Sequence, residues 1–200
     1  MGMSITETDL EGVFVIVPQV FRDARGWFAE TWSLPRFTEH GLPVVFVQDN
    51  HSCTQKAGTL RGLHFQNDPS AQTKLVRCTR GRILDVAVDL RRGSPTFLRW
   101  TSVELSAADG RQIWIPRGFA HGFLTLEDDV EVQYKTDRPY DGQRDRSVRF
   151  DDPAFGIVWG VADPLVSDKD AKAPLWAHCD CNFVYAASET APRPGQEDQA

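Results

Sequence analysis

A mainly all-β fold with a few short helices is predicted for this chain, and three observations carry the prediction. Apolar or period-two runs recur roughly every ten residues, turn signals rich in Gly and Pro separate them, and a single stretch reads as a helix of any length. Residues 13–17 and 44–47 are continuous apolar runs. Residues 84–90 alternate, with Leu84, Val86, Val88 and Leu90 on one face and Asp85 and Asp89 on the other. Residues 99–105, 112–115 and 130–135 continue the series. Turns are expected at Arg80-Gly81, Arg92-Gly93-Ser94-Pro95, Ala108-Asp109-Gly110, Pro116-Arg117-Gly118 and Tyr140-Asp141-Gly142. The helix candidate spans residues 34–40 and ends at Gly41. Residues 151–175 are less regular and are expected to pack over the strands. Many short antiparallel strands of this kind close into a sandwich or a small barrel.

Bulk properties narrow the function. A chain of 200 residues can bury a sizeable core in one domain, assigned here to residues 1–186. Residues 187–200 are polar and Pro-bearing, and read as a disordered tail. The net charge of −6 and pI near 5.3 argue against a nucleic-acid binder, which is usually basic. Residues 1–7 carry no basic leader before an apolar run, and no apolar stretch approaches the ~20 residues that cross a bilayer. The expected location is the cytoplasm, with neither nucleic acid nor membrane as partner. Cys53, Cys78, Cys179 and Cys181 are expected to be reduced there. His178-Cys179-Asp180-Cys181 lacks a second ligand pair at a recognised spacing and reads as an incidental surface segment.

Chemistry concentrates in two islands. Leu60-Arg61-Gly62-Leu63-His64-Phe65-Gln66, followed by Lys74-Leu75-Val76, sets an imidazole among cations on one extended segment. Neighbouring cations favour a neutral imidazole, the form a general base needs. Such a base requires a carboxylate to orient it, and Asp170, within Ser167-Asp168-Lys169-Asp170, is the candidate. Tyr134 and Tyr140 flank Lys135, Arg138 and Pro139. A phenol opposite the base could return a proton from the far face, as inversion at carbon demands. Near the N-terminus, residues 21–30 combine Phe21, Trp27 and Phe28 with Arg22 and Arg25, rings to stack on a base and a cation for phosphate. Gln48-Asp49-Asn50 offers amides for a pyrimidine edge.

The second island, Pro116-Arg117-Gly118-Phe119-Ala120-His121-Gly122-Phe123, resembles the second box of the cupin barrels. In metal-binding cupins the first box carries two His one residue apart and then a Glu. Here His64-Phe65-Gln66 has no following Glu, too few ligands for a catalytic metal, so no metal is expected.

Taken together, the motifs resemble those of the dTDP-4-dehydrorhamnose 3,5-epimerase family over roughly residues 5–175. The matching pieces include Phe21-x-Asp23-x-Arg25-Gly26-x-Phe28-x-Glu30, Gln48-Asp49-Asn50-His51-Ser52, the His64 island, Ala71-Gln72-x-Lys74, residues 85–91, the His121 island, Tyr134-Lys135 and Ser167-x-Lys169-Asp170. The resemblance implies a cupin-like jelly roll, a homodimer and catalysis without a cofactor. It implies a dTDP-hexose substrate inverted at C3 and C5. It assigns His64 as base supported by Asp170, Tyr134 as acid, and Lys74 as the cation facing the enolate. Arg61 and His121 then line the sugar and phosphate site. Phe21, Arg25, Phe28 and Glu30 contact nucleotide from the partner subunit, and Gln48, Asn50, Tyr140, Asp145 and Lys169 complete it. Three departures stand out: one extra residue near residues 53–57, Trp159-Gly160 where the family has Trp-Pro, and Asp145 where it has Glu. The rival expectations are a sibling that inverts one carbon of the same kind of sugar, and a cupin that only binds a nucleotide sugar.

Overall fold

The computed structural model describes residues 2–186; the expected tail at 187–200 lies outside them. Two antiparallel sheets face each other as a cupin-like jelly roll. One sheet runs β1 (Ser4–Glu7), β2 (Phe14–Val17), β10 (Gln112–Ile115), β7 (Lys74–Arg80), β12 (Val130–Thr136), β5 (Gln48–Thr54). The other runs β13 (Asp145–Ser147), β6 (Leu60–Gln66), β11 (Phe119–Thr125), β8 (Arg82–Asp89), β9 (Trp100–Ser106). A separate two-stranded ribbon joins β3 (Val20–Asp23) to β4 (Gly26–Ala29).

Period-two alternation sorts side chains into three apolar layers. Val76, Cys78, Ile83, Ala87, Ile113, Ile115, Val130 and Val132 meet between the sheets. Leu63, Phe65, Val86, Val88 and Leu90 point out of the five-stranded sheet, where Phe155, Trp159 and Phe183 cover them. The irregular stretch therefore packs over the strands, as expected. This cover also orients β8: its apolar face looks outward beneath it, and Asp85 and Asp89 sit on the face toward the barrel, both fully buried. The third layer lies on the six-stranded sheet, where α1 (Leu34–Glu39) seats Phe37 against Leu75 and Trp114. Pro35 opens that helix within its first turn, and Gly41 closes it at φ 77°, a conformation that suits glycine.

Two expectations are corrected. Residues 44–47 form no strand, because their neighbour β12 ends at Thr136, which pairs with Gln48; of the four only Val47 reaches it, its N–H donating to the Thr136 carbonyl at 2.9 Å. Val44 and Phe46 turn under α1, while Val45 and Val47 face outward. The His178-Cys179-Asp180-Cys181 segment lies on the surface only in part: His178 and Asp180 are exposed, whereas the two cysteines turn inward. Cys181 is buried and Cys179 packs against the same layer, so burial pushes the Cys179 thiol up to about 12. At Gly160, φ is 77°, which proline cannot adopt, so this turn differs from a Trp-Pro turn. Trp159 remains buried, and its Nε1–H donates to the Phe150 carbonyl at 2.9 Å.

Candidate active site

One end of the barrel interior is apolar and the other is a polar cleft of about 630 Å³. Its wall is built from β6, β7, β11 and β12. On β6, simple alternation would put Arg61 and His64 on opposite faces, since they are three residues apart. A β-bulge resolves this: on β11, His121 pairs with His64 and Phe123 with Arg61, so three steps on β6 face two on β11. Arg61 and His64 both reach the cleft, while Leu63 stays in the outer layer and Leu60 and Phe65 belong to that layer and also border the cleft. Glycine makes the bulge possible. A Cβ on Gly62 would lie 2.7 Å from Gly122 Cα, and one on Gly122 would lie 2.8 Å from the Arg61 carbonyl.

His64 Nε2 is 2.6 Å from Asp170 Oδ1, a contact between residues far apart in the chain. Asp170 is held by α2 (Asp168–Ala171), whose N-cap Ser167 accepts the Asp170 N–H at 3.2 Å. Burial raises the Asp170 carboxyl, but the bond and charge of His64 outweigh it and hold the group below its ordinary range. With Nε2–H donated to a carboxylate, Nδ1 is the basic nitrogen of His64. Directly across the ladder, His121 Nε2 contacts both oxygens of Asp85 at 3.0 and 2.9 Å. Burial lowers the His121 pKa; Asp85 opposes that, and Lys74 and His64 add to it. Asp85 is the site residue that sequence reasoning missed. Its signal was an acid in the middle of a strand with few other polar residues.

Lys74 lies at the start of β7, 9% exposed, with no hydrogen-bond partner among the described residues. Burial pulls its pKa down to about 8 against the opposing charges of Asp85 and Asp145. Tyr134 faces the cleft from β12; burial raises its phenol above the ordinary value, Arg61 opposes, and Asp145 adds to the rise. It therefore keeps its proton at neutral pH. Arg61 is anchored by Thr54 Oγ1 at 3.0 Å and the Cys53 carbonyl at 3.3 Å.

At the mouth, Asp145 Oδ2 accepts from Lys169 Nζ at 2.6 Å and from Tyr140 Oη at 3.3 Å. Gln48 spends its amide internally, donating to Asn50 Oδ1 and accepting from the Tyr140 N–H, both at 2.9 Å. Asn50 Nδ2 is buried without a partner among the described residues. Six sequence candidates do not line this cleft: Gln48, Asn50, which lines a neighbouring hollow with Lys135 and Gln133, and four near the N-terminus. Phe21, Arg25 and Phe28 stand on the β3–β4 ribbon and line a separate surface hollow, with Arg25 paired to Asp23. Glu30 pairs with Arg36 at 2.9 Å.

A cleft with two His–Asp pairs, a buried ammonium and a protonated phenol defines a class: a jelly-roll enzyme that moves protons on and off carbon. Comparison with known proteins narrows it. The sequence model for dTDP-4-dehydrorhamnose 3,5-epimerase matches residues 7–178, and the chain belongs to that family of isomerases. A relative bearing that name in Sinorhizobium fredii is 46% identical over 185 residues, covering 92% of each chain. The epimerase of Legionella pneumophila, solved with dTDP-4-keto-L-rhamnose, superposes with a TM-score of 0.88 at 40% identity, covering 92% of this chain and 100% of that one. A 3'-monoepimerase from Streptomyces bikiniensis, solved with dTDP-quinovose, gives 0.79 at 35% identity, covering 85% and 86%.

Proposed function

We propose that the chain inverts dTDP-4-dehydro-6-deoxy-D-glucose at C3 and C5 to give dTDP-4-dehydro-L-rhamnose, on the route to dTDP-L-rhamnose and without a cofactor. One observation carries the reading: a carboxylate-braced imidazole, a protonated phenol and a buried ammonium share one cleft. The C4 ketone acidifies the hydrogens on both neighbouring carbons. His64 takes one as a proton, the C–H electron pair forms the enolate, and Lys74 holds the oxyanion, a contribution of about 3 kcal/mol by analogy with oxyanion holes. At C5, Tyr134 returns a proton from the opposite face and the enolate collapses to the ketone. The His64 imidazolium then gives up its proton to water, and the Tyr134 phenolate regains one from it. After the ring reorients, the same base serves the second carbon.

The protein acts as a homodimer in this reading. An isolated two-stranded ribbon is marginal in water, yet β3–β4 leaves Phe21, Trp27 and Phe28 52%, 63% and 68% exposed. A second copy that receives this ribbon covers those rings and gains Arg25 and Glu30 for the diphosphate and base. Asn50, with its spare N–H, and Lys169 and Tyr140 at the mouth complete the nucleotide contacts, and Arg61 and His121 those to the sugar and phosphate. Four free thiols fit a reducing compartment, the cytoplasm. The rival reading is inversion of one carbon only, the activity named for the Streptomyces bikiniensis relative.

NMR in deuterated water separates the two. Deuterium at both C3 and C5 of dTDP-4-dehydro-6-deoxyglucose supports the first reading, and deuterium at C3 alone selects the rival. Tyr134→Phe is expected to keep C3 exchange and lose most C5 inversion; equal loss of both removes Tyr134 from the acid role.

A further inference from the structure

The segment between β12 and β13 presents Tyr140 and Asp145 to the cleft's mouth, yet it contains no regular structure from residue 137 to 144. Its backbone is held in an unusual way. Four consecutive residues each give one backbone group to a glutamine side chain. Gln72 Nε2 donates to the Arg138 carbonyl at 2.9 Å, and Gln66 Nε2 donates to the Pro139 carbonyl at 3.3 Å. The Tyr140 N–H donates to Gln48 Oε1 at 2.9 Å, and the Asp141 N–H donates to Gln66 Oε1 at 2.8 Å. The three glutamines come from β5, from β6 and from the loop before β7, so the segment is tied to separate parts of the barrel. Gln66 is the hub. It is buried two residues beyond His64, and its Nε2 also donates to the Ser70 carbonyl at 2.7 Å. Ser70 Oγ in turn donates to Asp141 Oδ2 at 2.7 Å.

We propose that Gln66, with Gln72 and Gln48, forms an amide clamp that positions the Arg138–Asp141 backbone and thereby sets the Tyr140 ring and Asp145 carboxylate over the cleft. The inference rests on the functional reading above, in which those two side chains border the nucleotide sugar. Amides suit the task physically. An amide can supply both a donor and an acceptor, as two carbonyls followed by two N–H groups require. Each is also neutral, so the clamp neither competes with Lys169 for Asp145 nor attracts the diphosphate itself. The residues are positioning residues: they act through Tyr140 and Asp145 and leave proton transfer at His64 alone.

The test uses full-length protein with Gln66→Met, close in volume but unable to make the polar contacts, and Gln72→Leu at a half-exposed position. Hydrogen exchange read by mass spectrometry is expected to accelerate at least tenfold in residues 138–145 while β7 and β11 keep their protection. With dTDP-4-dehydro-6-deoxyglucose, KM is expected to rise about tenfold and kcat to fall less than threefold. In a Tyr140→Ala background Gln66→Met is expected to raise KM no further, because both changes act through one ring. Unchanged exchange in both variants overturns the clamp, as does a kcat loss equal to the KM change. Should Gln66→Met fail to fold, Gln72→Leu alone decides by the same readouts. A wild-type protein that does not turn over this sugar, or a Tyr140→Ala variant with unaltered KM, breaks the functional reading instead, and exchange in residues 138–145 still judges the clamp.

Discussion

The cleft and the β3–β4 ribbon use similar residue types to opposite ends. In the cleft, His64, His121 and Arg61 are each fixed by a buried or half-buried partner supplied from another strand or helix. On the ribbon, Arg25 pairs among the described residues only with Asp23 two residues away, and three aromatic rings stand in solvent. The difference teaches that His64, His121 and Arg61 are held in place by the fold of one chain, whereas Arg25 and the ribbon's rings lack such a hold, which in the proposed homodimer a second copy supplies. Preorganised groups keep their geometry without substrate.

The largest expected effect breaks the cleft side. His64→Asn removes the base, and kcat should fall roughly 10²- to 10⁴-fold, with deuterium exchange at C3 and C5 lost together. If either carbon still exchanges at the wild-type rate, His64 is not the base for it.

Next comes the oxyanion cation. Lys74→Ala is expected to cost about 10²- to 10³-fold in kcat. Its pKa is lowered to about 8, so the ammonium is present below that value and lost above it. Accordingly kcat/KM should fall as pH rises through about 8, and Lys74→Arg should move that fall out of the accessible range. A profile flat from pH 7 to 10 would remove Lys74 from the mechanism.

The ribbon side responds more gently. Arg25→Ala should raise KM by about 10- to 100-fold, the worth of a hydrogen bond to a charged group, with kcat nearly kept. Mixing Arg25→Ala with His64→Asn protein sharpens the comparison. If Arg25 serves the partner's cleft, hybrid dimers regain one intact site of two, and equal mixtures recover about a quarter of wild-type activity at low substrate. No recovery on mixing, with exchange of subunits verified by mass spectrometry, would confine Arg25 to its own chain.

Much of this was legible in the residues because strands write their pattern locally. The alternation at 84–90 and 130–135 and the Gly41 stop signal located β8, β12 and α1. The chemical islands around His64 and His121 stood out because cations, imidazoles and glycines share a short span. Residues 44–47 were misjudged because pairing depends on where the neighbouring strand ends, which no local run records. Asp85 escaped notice for a related reason: alternation reveals that two faces exist, and says nothing of which one the barrel encloses.

By itself, the sequence determined the strand periods, the turns, and the set of titratable side chains available for proton transfer, since these follow from nearest-neighbour sterics and residue chemistry. Only the tertiary structure decided which of them meet. The bulge at Gly62 rotates Arg61 and His64 onto one face, α2 delivers Asp170 to His64, and burial reshapes the proton affinities of Lys74, His121 and Tyr134. Those outcomes depend on contacts across the chain and on exclusion of water, quantities that exist only once the two sheets close.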